Sequence, residues 1–387
     1  MPSAADVVVI GGGPAGLHAA ARLAAGGVGV ELFEEHATVG EPVHCTGVLA
    51  REAFERFGVP EASILNHLAT VRFHSPSGHA FEYSPPQIEA VVIDRAAFDR
   101  QLAARAAGLG VTFRTARATR VDVDATGVTV VGGDISVRAR ACVLACGASY
   151  ALHRRLELGR PRMALQSAQA ELPADRLGAV EVHFGSEAAP GGFAWAVPVK
   201  RHDRQSVRIG VMCAADARGH FRQMVERVAP RWGVRLAEAC APRHKVLPLG
   251  PIARTTRDRV VAVGDAAGLV KPTTGGGIYY SLLSAELAAE TLLPALAADT
   301  LSADRLAAYE RAWRDQIGSE LRWQLILRRI AQRLPDADID RLFDLARTDG
   351  LMPIVRRTAR FNRHRDFIVA LLKHPPARRV LLRATLA

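Results

Sequence analysis

The chain opens on an unbroken apolar run. Asp6 to Ile10 (DVVVI) is β-branched at nearly every position, as in a parallel strand buried on both faces. Glycines follow at three fixed offsets, Gly11, Gly13 and Gly16. The run LHAAARLAA then repeats apolar residues at helical spacing as far as Gly26-Gly27, a helix stop. A second strand is expected from Val28 to Phe33, ending at Glu34. Turn formers come next in HATVGEPVHCTGVL, then a short helical stretch, AREAFERFG. Residues 68–93 alternate around Pro and Gly and read as a hairpin or short strands. Asp94 stands where it caps a helix whose apolar positions recur through RAAFDRQLAARAAG. Short strands around turns at Gly127 and Gly132-Gly133 are expected over 111–144, closing on ACVLACG.

The pattern changes between 160 and 250. Strand-like runs (QSAQAEL, AVEVHFG, GFAWAVPV, VRIGVM) surround one helical piece, GHFRQMVERVAPRWG, which predicts an antiparallel sheet with a helix. DRVVAVGDAAGLVKPTTGGGIYYSLLSAELAAETLL returns to strand, loop and helix. From about 301 onward the periodicity is helical, with a break at Pro375-Pro376. The fold class expected is α/β. A Rossmann-like nucleotide-binding domain is made of 1–67, 90–155 and 250–300. A sheet domain of 68–89 and 156–249 is inserted in it, and 301–387 forms a C-terminal helical region.

The 387 residues suffice for more than one core, and 49% hydrophobic with 23% charged residues is an ordinary globular balance. No leader is expected before the first strand, and Glu286 and Glu290 interrupt the run nearest to a membrane span, 281–298. The cysteines at 45, 142, 146, 213 and 240 have no metal spacing and no paired framework, so no metal site and a reducing cytoplasm are expected. Cys142 and Cys146 read as buried on one face of a strand. The net charge of +11 is uneven: residues 352–387 hold nine Lys/Arg against Asp366 alone. Such an end suits an anionic surface, although 46 arginines against four lysines also suggest a general arginine bias.

Two stretches carry chemistry. In the first, Gly11 permits a tight turn, Gly13 leaves room for a pyrophosphate, and Gly16 lets helix and strand pack closely. Pro14 suits the first helical turn, followed by Ala15. Glu34 stands 23 residues after Gly11, with Glu35 beside it, where a carboxylate accepts hydrogen bonds from adenosine ribose hydroxyls. In the second, VVAVGDAAGLVKPTTGGGI, a buried strand delivers Gly264 and Asp265 to its carboxyl end. Asp265 there can take a ribityl hydroxyl, or be a plain helix N-cap. Gly275, Gly276 and Gly277 then open a helix at Ile278, whose free N–H groups would face an anion such as the reduced flavin ring.

With these residues the chain resembles FAD-dependent enzymes of the hydroxylase-like (glutathione-reductase type) flavoprotein superfamily, through GGGPAG with Glu34, Arg95 and GDAAG. Within it, GEPVHCTG containing Cys45, PGGFAWAVPV with Phe193, Trp195 and Pro198, and KPTTGGGI at 271–278 resemble the geranylgeranyl reductase family, over roughly residues 1–330 and including YERAW near 309. That resemblance implies an FAD-dependent reductase that saturates C=C bonds in polyprenyl chains of a lipid, quinone or pigment precursor, by hydride transfer from flavin N5 plus protonation. NAD(P)H or a reduced carrier would dock transiently, since no second dinucleotide fingerprint is present.

The resemblance also has gaps. Ala145-Cys146-Gly147 stands where relatives usually have Ala-Asp-Gly, and Cys45-Thr46-Gly47-Val48 where many have Cys-Gly-x-Gly. An isolated alkene accepts hydride poorly, so a proton must reach its other carbon. The candidate donors are Cys45, His44 and Tyr279, with Cys45 first. As alternatives, Cys45 is a small buried apolar residue and His44 a satisfied surface or core histidine. Phe193 and Trp195 line an apolar channel or belong to the core. Arg95 pairs with FAD phosphate or the ring region, or forms a surface salt bridge. The competing class is an FAD-dependent monooxygenase acting on an apolar or aromatic substrate. A halogenase would carry Trp-x-Trp-x-Ile-Pro, whereas Phe193-Ala194-Trp195-Ala196-Val197-Pro198 stands here. A third reading is a non-redox flavoprotein whose tail binds RNA or membrane. Few aromatics interleave the tail, so no nucleic acid is expected. FIVALLKHPPARRVLLRATL instead reads as a basic amphipathic surface for an anionic membrane at the inner face of the cell.

Overall fold

A computed structural model describes residues 3–235, 241–348 and 350–386; Cys240 lies outside them. Five parallel strands form the centre of the first sheet. From one edge its order is Thr256–Arg257, Val260–Ala262, Ile135–Leu144, Ser3–Ile10, Val30–Glu34 and Thr112–Thr115, the first pairing antiparallel. The chain builds outward from Ser3–Ile10 on one side, then crosses to Ile135–Leu144 on the other. That reversal makes the carboxyl end between Ile10 and Leu144 a topological switch point, where open α/β sheets bind ligands. Ile10 is aligned with Leu144, and Leu144 with Ala262, so three strand ends stand side by side. Val7, Val8 and Val9 are wholly buried, as the unbroken apolar run requires. Helices Pro14–Ala25 and Ile278–Ala297 pack together over this core.

The strand ACVLACG ends earlier than its apolar run. Ala145 N–H still bonds Ile10 O at 2.8 Å, but Leu144 is the last strand residue and Gly147 turns away at φ +61°. Cys142 is buried in the strand, whereas Cys146 lies beyond it and donates to Ser149 O at 3.3 Å. The expectation that the two share a strand face is therefore corrected. Asp94 does cap the helix Arg95–Gly108, accepting from Ala97 N–H at 3.0 Å.

The second sheet has seven strands, in the order Arg243–Leu249, Met163–Pro173, Gln205–Cys213, Phe193–Lys200, Val180–His183, Val71–His74 and Ala80–Tyr83. All pair antiparallel except Val71–His74 with Val180–His183, which run parallel because the first arrives from a distant part of the chain. Period-two alternation divides its faces. Ala194, Ala196, Val207, Ile209 and Val211 pack under helix Ala217–Trp232. Phe193, Trp195, Gln169, Arg208 and Met212 occupy the opposite face. A small third sheet, Val48–Ala50, Ala90–Ile93 and Ile64–Leu68, was not readable from periodicity because its strands are so short.

The helices after 301 attach to both sheets. In YERAW, Tyr309 donates to Ala262 O at 2.8 Å, and Glu310 accepts Thr255 N–H at 3.0 Å. The last helices, Arg365–Lys373 and Pro375–Leu386, bury Ile368, Leu371, Ala377 and Leu381 against the preceding helices. The apolar side of the tail thus faces inward, against the preceding helices. Its outward side is basic, with Lys373, Arg378, Arg379 and Arg383 exposed.

One ionic cluster ties the second sheet to the first unit. Glu171 accepts from Arg208 Nε at 2.9 Å, Arg201 Nε at 3.1 Å and Ser206 Oγ at 2.8 Å. Arg201 reaches Asp94 at 2.6 Å, and Arg208 Nη1 donates to Thr46 O at 2.6 Å and Ile93 O at 3.0 Å. Burial pushes the Glu171 carboxyl up, but Arg201, Arg208 and Ser206 outweigh it and hold the pKa at about 2, below the ordinary 4.5. This stabilisation is complete above pH 4.5 and is lost as pH falls toward 2. Glu171→Gln is expected to cost on the order of 2 kcal/mol at pH 7. In urea titrations between pH 6 and pH 2, the gap to the native protein should narrow as the native carboxylate protonates.

Candidate active site

The site is built where the three strand ends meet. Gly11 has φ +113°, and a Cβ there would lie 2.3 Å from Ala145 O. A Cβ on Gly16 would lie 1.9 Å from Gly11 O. Both positions exclude any larger residue. Gly13 is different: nothing lies within 4 Å of where its Cβ would be, so space remains in front of the backbone. Pro14 begins the helix, and the leading N–H groups there, with Ala15 among them, have no intrahelical acceptor. Glu34 closes the adjacent strand and accepts Gly12 N–H at 2.6 Å through one oxygen and His36 N–H at 2.9 Å through the other. Glu35 turns outward to an exposed pair with Arg117 at 3.5 Å.

The second motif meets the first directly. A Cβ on Gly264 would lie 3.0 Å from the Ala15 methyl. Asp265 makes no side-chain cap. Its carboxylate leans over Gly277, 2.8 Å from a Cβ built there, and Lys245 Nζ stands 3.6 Å away. Gly275 turns at φ +71°, and Gly277 precedes the helix that starts at Ile278, again without a side-chain cap.

The loop bearing Cys45 is held from two sides. Cys45 Sγ accepts Gly47 N–H at 3.3 Å, and the Arg95 guanidinium lies against the thiol. Thr46 Oγ donates to Gln169 Oε1 at 2.7 Å, while Arg208 grips Thr46 O. Arg95 makes no surface salt bridge. It is 13% exposed and pairs with Asp99 at 2.8 Å, and its Nε is buried without a partner. His44 is exposed; its pKa is lowered by partial burial, then by Lys245, Arg243, His36 and Arg95. Beside these residues, a cleft of about 580 Å³ opens between Thr38, Glu41, Pro42, Val43, Ala96 and Arg243.

Apolar residues of the second sheet complete the wall. Phe193 and Trp195 have ring centroids 5.7 Å apart and cluster with Leu165, Met212 and Leu247. A Cβ on Gly275 would lie 3.1 Å from Leu247 Cδ1 and 3.2 Å from Met212 Sδ, so this cluster abuts the triglycine turn. Gly210 leaves room for the Trp195 indole, whose Nε1 is buried without a partner. Pro198 lies further along the strand, and its carbonyl accepts from Asn66 at 3.2 Å.

The chain is similar to several known proteins. Residues 5–163 match the family model described as pyridine nucleotide-disulphide oxidoreductase, and residues 211–348 that of lycopene cyclase protein. Digeranylgeranylglycerophospholipid reductase 1 of Methanopyrus kandleri is 30% identical over 373 residues, covering 90% of this chain and 98% of the relative. Digeranylgeranylglycerophospholipid reductase 2 of Methanothermobacter thermautotrophicus is 31% identical, covering 87% of this chain and 90% of the relative.

The chain belongs to the geranylgeranyl reductase family. It is an FAD-dependent oxidoreductase. A geranylgeranyl bacteriochlorophyll reductase-like structure from Thermoplasma acidophilum shares its fold at TM-score 0.84 and 21% identity, covering 99% of this chain and 100% of that one. A flavin-dependent brominase shares the fold more loosely, at TM-score 0.72 and 16% identity, covering 97% and 100%.

The residues fit FAD. Only Gly13 is open among the fingerprint glycines that face the helix start, Glu34 stands at the end of its strand, and an uncapped helix follows Gly277. Cys45 and His44 share one loop, and Arg95, the first residue of the helix capped by Asp94, lies against Cys45. Tyr279 is placed elsewhere: its ring meets Phe57 edge-on at 5.1 Å, and burial, then Glu52, raises its pKa.

Sequence reasoning passed over several residues that shape the site. Arg328, 4% exposed, donates to Pro272 O at 2.8 Å, to Gly191 O at 2.9 Å and to Thr273 O. Burial lowers its pKa to about 10. Arg208 and Lys271 likewise donate to backbone carbonyls, and Gln169 Oε1 accepts from the Thr46 hydroxyl. In an arginine-rich chain no arginine stands out, but the scarcity of lysine was a usable signal, since Lys245 and Lys271 are two of only four.

The glycine geometry separates folding from binding. Gly13→Ala should leave the melting temperature of the apoprotein nearly unchanged and weaken FAD at least about tenfold in a fluorescence titration. Gly16→Ala should destabilise the apoprotein itself by about 3 kcal/mol in denaturant unfolding.

Proposed function

We propose that this protein reduces isolated C=C bonds in a geranylgeranyl-type chain of a polyprenyl lipid. The observation that carries this reading is the juxtaposition of an apolar aromatic wall, the triglycine turn and the Cys45 loop. Met212 and Leu247 abut Gly275, Phe193 and Trp195 cluster with them, and Gln169 holds Thr46 next to Cys45. Residues of this type exclude water and accept a hydrocarbon chain.

Reduced FAD, when bound, supplies a hydride to one alkene carbon. Gly11, Gly13, Ala15 and Gly16 would take its pyrophosphate at the first helix, Glu34 the ribose, Asp265 the ribityl chain, and Gly275 to Ile278 the ring edge. The remaining requirement is a proton for the other carbon. Cys45 is the residue we assign to deliver it. Its thiol is held in place by Gly47 N–H, and Arg95 is placed to stabilise the negative charge left on sulfur. Arg95 is in turn oriented by Asp99. Arg243 lines the adjacent cleft and is the cation there that suits an anionic polar end of the substrate. Reducing equivalents would come from NAD(P)H or a reduced carrier docking transiently.

No helix among the described residues is long and apolar enough to cross a membrane. We include peripheral contact with an anionic membrane at the inner surface in the proposal, on the strength of the exposed Lys373, Arg378, Arg379 and Arg383. Binding to phosphatidylglycerol vesicles that is lost at high salt checks it; equal binding to neutral vesicles would refute an electrostatic contact.

The reaction is tested by mixing reduced protein anaerobically with a geranylgeranyl phospholipid and, separately, with oxygen alone. Rapid flavin reoxidation with a product about two mass units heavier per bond is expected. An inert lipid together with rapid oxygen consumption would move the protein to the monooxygenase class. Cys45→Ala should retain FAD affinity and slow the lipid-dependent step by about 10²- to 10⁴-fold.

A further inference from the structure

One buried residue touches both the triglycine turn and the C-terminal helices. Lys271 is 3% exposed. Its Nζ donates to Phe361 O at 3.0 Å and Asn362 Oδ1 at 3.1 Å, and lies 4.2 Å from the centroid of the Phe361 ring. Those partners belong to residues 359–364, a strap joining helix Met352–Thr358 to helix Arg365–Lys373. The strap has few other ways to leave. Phe361 N–H bonds Glu89 at 2.7 Å, Asn362 Nδ2 bonds Glu52 at 2.7 Å, Tyr280 donates to Asn362 O at 3.2 Å, and Thr273 Oγ is 2.7 Å from His364 Nδ1.

The other end of the same residue shapes the turn. Lys271 N–H donates to Gly276 O at 3.1 Å, and Gly275 N–H donates to Lys271 O at 2.8 Å. The side-chain stem fills the space beside Gly276, with Cε 2.9 Å from where a Cβ would be. Moving the ammonium therefore moves the turn. Charged or neutral, Nζ donates to these acceptors, and leaving them would strand buried polar groups, so the stem and strap hold one arrangement.

We propose that Lys271 is a positioning residue through which FAD binding at the triglycine turn and docking of the 359–364 strap become one coupled event. The proposal rests on the assignment of FAD to this site. Coupling of this kind is reciprocal: if the docked strap favours FAD, FAD favours the docked strap.

Titration supplies a signature of the lysine itself. Burial lowers its pKa from 10.5 to about 7, opposed by Glu320 and Glu52. The groups around it are Glu52 from helix Glu52–Phe57, Glu320 and Arg328 from helix Ser319–Ala331, Tyr280 from the helix after the turn, and Glu89 and His364 at the strap. His364 is lowered to about 4 by burial and then by Lys271. A released lysine would titrate at 10.5 and the docked one near 7. Docking thus sheds a proton in that interval and strengthens as pH rises above 7; below it, this contribution is flat.

The test uses the full chain, with FAD as the probe. Trypsin cleavage at the exposed Arg360 and Arg363 of the strap is followed with and without FAD. FAD affinity is measured at pH 7 and pH 9. In the native protein FAD should slow strap cleavage about tenfold and bind more tightly at the higher pH. Lys271→Met should bind FAD about tenfold more weakly, with no FAD-dependent protection and no change of affinity between the two pH values. Phe361→Leu keeps both oxygen acceptors and should lose part of each effect. Native affinity, protection and pH response in Lys271→Met would overturn the proposal. Should that variant not fold, native behaviour of Phe361→Leu would do so. Failure of the native protein to bind FAD at any pH would overturn the cofactor assignment instead, and the coupling with it.

Discussion

Everything in this molecule is arranged around one close approach of backbone to backbone. At the switch point of the parallel sheet, Gly11 passes within reach of Ala145 O, and Gly16 brings the first helix onto Gly11 O. No side chain fits either gap. Because the helix sits so close, its start is aimed at the space in front of Gly13, and Ala15 touches Gly264 of the returning segment. Two motifs some 250 residues apart thereby form one cradle. The cost is conformational: glycines are the residues hardest to order, and the buried strands Ser3–Ile10, Ile135–Leu144 and Val260–Ala262 supply the stability that offsets it.

The loops around that cradle share a second device. Each is held through its carbonyl oxygens by a buried basic side chain from elsewhere in the chain. Arg208 grips Thr46 and Ile93, Arg328 grips Pro272, Thr273 and Gly191, and Lys271 grips Phe361. Carbonyls of irregular loops need partners when they are buried, and a guanidinium can satisfy several at once. The arrangement fixes loops without regular secondary structure, which suits a site that must be rigid near the reacting atoms and apolar on its other wall. The large share of arginine in the chain is thus partly structural, beyond any charge it presents to the outside.

The C-terminal helices illustrate how tertiary context reassigns a local pattern. Taken alone, their basic amphipathic sequence is that of a surface helix on a membrane. In the folded chain a better partner is available: the helices from Ser319 to Arg347, with apolar residues of their own, and the hairpin residue Phe81, whose ring meets Phe343 at 5.1 Å. Burying two apolar faces against each other removes more surface from water than leaving one exposed. The basic side remains outside.

What the sequence determined by itself was everything governed by short-range sterics and periodicity: the α/β class, the fingerprint glycines, the Asp94 cap, the alternation that sends Ala194 and Phe193 to opposite faces, and membership signals in KPTTGGGI and PGGFAWAVPV. Each depends on residues within a few turns or one strand, so the pattern is visible locally. Tertiary structure alone decided that the i,i+4 pair of Arg95 and Asp99 is buried, that Tyr279 packs on Phe57, that Cys146 falls past its strand, and that Arg208, Arg328 and Lys271 hold distant loops. Arg208 reaches across 162 residues to Thr46, and Lys271 across 90 to Phe361. A cation's partner at such a distance is chosen by topology and by the burial of both groups, and neither leaves a periodic trace in the chain.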